Sequence, residues 1–210
     1  MDQWIVGLHA LAGAVALVSM WVPLVSTKGG RAHRFGGKVY TAAMAAVVVF
    51  AWVVCAIRVT DGEPGNDGAA WFLAMIAVLA GDSTWFGWRM AGRDRGGPLD
   101  NVVPGFAVLS GFAGIGLAVQ TGFVLAGVFG GLCALLGAQQ IRTLRRGEPT
   151  GKARIREHLG AMIAACIATV TAFVVVNTGH LQLPVSPLVV WLAPTVLGVP
   201  AIFWFSRRNG

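Results

Sequence analysis

Seven apolar runs, each close to the length at which a helix crosses a hydrocarbon layer, constrain this chain more than any other feature. A spanning helix needs about 20 mostly apolar residues. Runs of that kind cover roughly residues 4–26, 39–59, 69–90, 101–120, 122–143, 158–178 and 187–206. The connectors between them are short and rich in Gly, Pro and charge, as turns are. None is long enough for a second domain, so residues 1–210 read as a single all-α, polytopic bundle of seven transmembrane helices. Composition agrees: 56% of residues are hydrophobic and only 12% are charged, against about a quarter charged in soluble domains. An ordinary soluble globule, a disordered chain and a basic DNA-binding domain are all excluded on that ground.

Charge placement orients the bundle. Lys28, Arg31, Arg34 and Lys38 lie between the first two runs; Arg89, Arg93 and Arg95 follow the third. Arg142, Arg145, Arg146, Lys152, Arg154 and Arg156 follow the fifth, and Arg207 and Arg208 follow the seventh. Only Arg58 falls on the other side, beside Asp61, Glu63 and Asp67. The positive-inside rule then places the N-terminus outside and the C-terminus in the cytoplasm. The expected location is the cell (cytoplasmic) membrane, with the basic connectors facing anionic lipid at the inner leaflet and no nucleic-acid partner. The Met-Asp-Gln-Trp start lacks the positive region of a secretory signal, so the first run is expected to stay as a membrane helix. Trp4, Trp71 and Trp191 fall near the outer boundary, Trp88 and Trp204 near the inner one, where Trp concentrates. Gly127 and Gly131 form a GxxxG pair, and Pro194 and Pro200 are expected to kink the seventh span.

Catalytic motifs are scarce. The sequence holds no HExxH and no GxSxG, and Gly147–Lys152 is one residue short of a P-loop and lacks the following Ser or Thr. Cys55, Cys133 and Cys166 lie singly in apolar runs and read as small buried hydrophobes. No Lys in the seventh span can hold retinal.

The four histidines fall into two pairs. His9 lies inside the outer end of span one, and His180 just past the outer end of span six. His33 sits in the first cytoplasmic connector, and His158 at the cytoplasmic start of span six. A two-haem transmembrane electron carrier needs that layout, each iron taking one imidazole from each of two neighbouring helices; the same layout suits a metal ion. Interfacial histidines beside Arg31, Arg34 and Arg156 equally suit headgroup contact or helix capping.

Asp82 is the one acid deep in a span, near the midplane, where an ionisable group is costly. A proton relay, a cation site, pairing with Arg89 and a packing hydrogen bond to Ser83 or Thr84 all stay open. Asn177 and Thr178, and Gln139 and Gln140, are further polar groups near span ends, suited to a polar path or to helix–helix hydrogen bonds.

The run from Lys28 through His33-Arg34-Phe-Gly-Gly37 to Tyr40, after a first span containing Leu8-His9-Ala10, together with Arg156-Glu-His158-Leu-Gly-Ala-Met162, resembles the uncharacterised bacterial membrane proteins grouped as domain of unknown function 2306. The resemblance covers spans one, two and six. It implies that His9, His33 with Arg34 and Gly37, and His158 form a set; His180 has no counterpart, and no chemistry is implied.

Three functions therefore stand as expectations. One is a redox protein binding b-type haem or a metal through His9, His33, His158 and His180, acting with a redox partner or as a homo-oligomer. Another is a small-molecule or ion transporter using Asp82. The last is a non-catalytic assembly or accessory protein.

Overall fold

A computed structural model describes residues 2–61, 66–92 and 97–209. Glu63, Arg93, Asp94 and Arg95, and the side chains of Asp2 and Arg208, lie outside the described residues. The described chain is helical: α1 (Asp2–Ser19), α2 (Trp21–Val25), α3 (Arg31–Thr60), α4 (Asn66–Ala91), α5 (Leu99–Thr121), α6 (Val124–Arg145), α7 (Gly151–His180) and α8 (Pro187–Asn209). Seven helical segments are long and apolar enough to cross a membrane, with α1 and α2 together forming the first. The chain is thus a multi-pass membrane protein by length and composition. The α1–α2 break falls at Met20, three residues before Pro23. Pro23 has no N–H to offer the carbonyl of Ser19, so the ladder is interrupted there.

Two helices start well before their apolar runs do. The backbone of α3 turns helical at Arg31 and that of α7 at Gly151. Hydropathy stops where charge begins, but a helix continues into the polar interface, where Arg and Lys extend into water. His33 therefore sits on the first turn of α3 rather than in a connector. The link between α5 and α6, by contrast, shrinks to Gly122 and Phe123. Gly122 closes α5 at φ +72°, a left-handed conformation that glycine adopts without penalty.

Helix α4 is the hub. It packs against α3, α5, α6 and α7, and 61% of its apolar window is buried, against at most 39% for any other span. It is also the least hydropathic of the seven spans, and its Asp82, Ser83, Thr84 and Arg89 are buried; polar groups in a membrane helix face the bundle interior. Against α3 it presents the small residues Ala70 and Ala74, packed on Cys55, Trp52 and Val59. Toward α7 it contributes Ala80 to a cluster with Ala16, Met20, Tyr40, Met44 and Ala165, which ties α1, α3, α4 and α7 together. Within that cluster Tyr40 is fully buried, its hydroxyl 3.0 Å from Thr169 Oγ1. Thr169 itself donates to the Ala165 carbonyl, which leaves Tyr40 as the donor in the pair.

The tightest seam joins α5 to α6. Of the Gly127–Gly131 pair only Gly127 lies in it, where a Cβ would stand 3.1 Å from Ala118 Cβ; a Cβ on Gly131 would meet nothing within 4 Å. The seam runs through Gly111, Gly114, Gly130 and Gly137. A Cβ on Gly111 would lie 2.5 Å from the backbone of both Gly130 and Ala134. Backbone cannot yield as a flexible side chain can. Gly111→Ala is therefore expected to destabilise the bundle by about 1–3 kcal/mol, read as a lower unfolding midpoint in mixed micelles, while Gly131→Ala leaves the midpoint unchanged.

At the end opposite the basic connectors, an aromatic cluster staples α4, α6 and α8. Phe72 meets Phe123 and Trp191 at 5.0 Å between ring centroids, and Trp191 meets Phe129 at 5.6 Å. Trp191 is thus packed between helices, unlike Trp4, Trp71, Trp88 and Trp204, which stay more than half exposed as belt residues would. Cys55, Cys133 and Cys166 are free thiols, and Cys133 Sγ donates to the Ala107 carbonyl at 3.3 Å.

Candidate functional site

The basic end of the bundle gathers the C-terminal end of α2, the starts of α3, α5 and α7, and the ends of α4 and α6. Two histidines meet there. The rings of His33 on α3 and His158 on α7 lie 6.4 Å apart between centroids, inclined at 69°. Each is anchored by the same nitrogen to a backbone carbonyl: His33 Nδ1 to Pro23 O at 3.1 Å, and His158 Nδ1 to Gly87 O at 2.7 Å. A carbonyl oxygen only accepts, so Nδ1 carries the proton in both rings and each Nε2 keeps its lone pair. Metal-bound histidines are characteristically oriented in this way, one nitrogen fixed by a hydrogen bond and the other free to ligate.

Two glycines make these anchors possible. A Cβ on Gly36 would stand 2.7 Å from Val22 and 3.0 Å from Pro23 Cδ; without one, α2 lies close enough to α3 for Pro23 O to reach His33. A Cβ on Gly87 would stand 2.6 Å from Met162 Sδ and 3.2 Å from its backbone nitrogen; without one, α4 approaches α7 and presents its carbonyl to His158. Lys28 Nζ also donates to Pro23 O and to Leu24 O, both at 2.8 Å, closing the end of α2. The glycine expected beside His33 was Gly37. Its neighbour Gly36 carries the close approach, and a Cβ on Gly37 would meet nothing within 4 Å. Arg34 is exposed, and its side chain makes no contact with either ring among the described residues.

The outer histidines do not form a second pair. His9 Nδ1 is 3.1 Å from Val47 O on α3, the same kind of anchor, but among the described residues no second histidine ring pairs with it. His180 is the last residue of α7, exposed, and makes no ring contact with His9 among the described residues. Asn177 turns back on its own helix, donating from Nδ2 to Phe173 O at 2.8 Å. No group of three or more His, Cys, Asp or Glu suited to a metal ion occurs among the described residues. What the basic end offers is two neighbouring imidazoles, each with its Nδ1 fixed on a carbonyl and its Nε2 lone pair left over.

Beside the pair lies a charge cluster. Arg89 is buried on α4 and grips Asp100 through Nε–Oδ1 and Nη2–Oδ2 bonds of 2.9 Å each. The same Nη2 donates to Glu148, in the α6–α7 connector. Arg154 on α7 donates to the carbonyls of Met90 and Gly92 at the end of α4. Arg89 is thereby committed to two carboxylates and is no partner for Asp82, contrary to one of the roles open from spacing alone. Asp82 accepts instead from Gln140 Nε2 on α6 at 2.6 Å, while Thr84 donates to Ala80 O. Asp82 lies nearer the basic end of α4 than the other, nine residues from Ala91 and 15 from Asp67.

No protein-family model, curated protein or solved structure matches this chain.

Proposed function

We propose that the chain is a redox protein of the cytoplasmic membrane in which His33 and His158 hold one metal centre, as b-type haem or as a transition-metal ion, at the cytoplasmic face. The observation that carries this is the pair itself: two rings with both Nδ1 atoms fixed on backbone carbonyls and centroids 6.4 Å apart. His33 and His158, each with Nδ1 committed to a carbonyl, would hold such a centre through their Nε2 lone pairs, and it would supply the electron transfer. The positive-inside assignment puts this end, with Lys28, Arg31, Arg154 and Arg156, in the cytoplasm. The likeness to the domain of unknown function 2306 proteins picks out the same two residues, and His9 with them. His9 serves in this proposal as an anchor between α1 and α3, and His180 takes no part.

An absorption spectrum and a metal analysis of the purified protein test the proposal. A Soret band that shifts on reduction means haem, and about one equivalent of iron or copper without such a band means a redox-active ion; zinc alone overturns the redox reading, because it has no redox chemistry. The absence of both a Soret band and bound iron or copper, in protein purified from metal- and haem-replete cells, removes the proposal.

A further inference from the structure

Asp82 is only 2% exposed, yet among the described residues it has one hydrogen bond and no counter-charge. Its Oδ1 is buried without a partner, and so is Oε1 of Gln140, the residue that holds its other oxygen. The cation on its own helix, Arg89, is engaged by Asp100 and Glu148. A carboxyl group left this way in a membrane helix is costly to ionise, so it either holds a proton or waits for a positive group to enter beside it.

A cleft stands where that group would enter. Between α3, α4 and α5 lies an open, almost wholly apolar cavity of about 220 Å³, walled by Val48, Trp52, Gly81, Val103 and Phe106; Asp82 is its single ionisable residue, with the carboxylate screened just behind the wall, so that a small side-chain movement is needed to bring Oδ1 to a ligand. The Trp52 and Phe106 rings stand 5.9 Å apart between centroids. Hard inorganic cations do not suit these walls, because they take about six oxygen ligands and only Asp82 and Gln140 have oxygens to spare. An organic cation does suit them. A carboxylate pairs with its charge, aromatic faces attract it, and apolar walls bury the rest of the molecule.

We propose that this cleft binds a small lipid-soluble organic cation, an aryl- or alkylammonium, with Asp82 as counter-ion and Trp52 and Phe106 as flanking aromatic walls. Gln140 positions the Asp82 carboxylate by holding Oδ2. The lining includes neither His33 nor His158 nor the Pro23 and Gly87 carbonyls that anchor them, so the site does not depend on any metal held there.

The test is equilibrium dialysis of radiolabelled benzyltrimethylammonium against the full-length protein in neutral detergent, with neopentylbenzene, its uncharged isostere, as competitor. Wild type is expected to bind saturably. Asp82→Asn, which keeps the shape and removes the charge, is expected to weaken binding at least about tenfold. Val102→Trp starts from a side chain 60% exposed on the cleft rim and fills the cleft without touching Asp82. It is expected to abolish binding with an unchanged melting temperature, and it carries the test if Asp82→Asn does not fold. Equal binding by wild type and Asp82→Asn overturns the proposal. Competition by neopentylbenzene as strong as that by the unlabelled cation marks the cleft as a lipid-chain groove and overturns it too, as does the absence of saturable binding.

Discussion

His158→Ala is expected to abolish the metal or haem binding proposed for the His33–His158 pair. With two protein ligands, loss of either leaves the metal on a single imidazole, and its affinity is expected to fall by at least about a hundredfold. His33→Ala should do the same. His9→Ala and His180→Ala should retain the full metal or haem content, because among the described residues neither ring pairs with another histidine. Metal content per chain and absorbance of the four variants, purified side by side, check this. Retention of the cofactor in His158→Ala with its loss in His9→Ala would move the site to the opposite face. Substitutions at the two glycines probe the anchors separately from the ligands. Gly87→Val would press on Met162 and its backbone and draw Gly87 O away from His158, leaving the ligand present but free to rotate. A cofactor that binds more weakly to Gly87→Val, or whose spectrum broadens, would mark the carbonyl anchor as part of the site.

Arg89→Ala is expected to produce the largest loss of stability of any single substitution at the basic end. The Arg89 side chain is 8% exposed and that of Asp100 11%, so the bidentate pair is shielded from water, with Glu148 beside it. Removing one partner of a buried pair leaves the other charge uncompensated, at a cost of about 3–5 kcal/mol. The cluster also has a structural job: Arg89 near the end of α4 and Asp100 near the start of α5 flank the α4–α5 connection, and Glu148 lies between α6 and α7, so one guanidinium ties two connections together. Arg89→Lys keeps the charge but not the two-pronged geometry, and should fall between wild type and Ala. Adding Asp100→Ala to Arg89→Ala should restore part of the loss. Reversible unfolding in mixed micelles measures all three variants. A loss below about 1 kcal/mol for Arg89→Ala would mean that the cluster is open to water and worth no more than a surface ion pair.

Polar residues were harder to place from spacing than apolar ones. Spacing put Arg89 two turns from Asp82 on one helix, and pairing the two was reasonable. The partners that Arg89 actually meets come from the α5 start and the α6–α7 connector, far away in sequence. Gln140 was a candidate for helix–helix hydrogen bonding, and that is what it does, but nothing local pointed to Asp82, 58 residues earlier. The α5–α6 seam shows the same limit. Every glycine in it was visible, yet the GxxxG motif pointed to Gly127 and Gly131, of which only Gly127 lies in the seam, whereas the closest backbone contacts follow Gly111, Gly130 and Gly137. Motif spacing says which residues share a helix face, but not which face meets a neighbour.

What this chain determined by itself is the number of its spans and their rough limits, because burying apolar length is a local property that each run satisfies or fails alone. The same holds for the gathering of its cations at one end. Only the tertiary structure decided that His33 and His158 meet and that His9 and His180 do not. That outcome depends on two glycine contacts between helices, α2 on α3 and α4 on α7, which fix ring positions to within a hydrogen bond and leave no periodic trace in the sequence. It also decided that Asp82 stands at the wall of a cleft with an oxygen unpaired, since that cleft is made by three helices and exists in none of them separately.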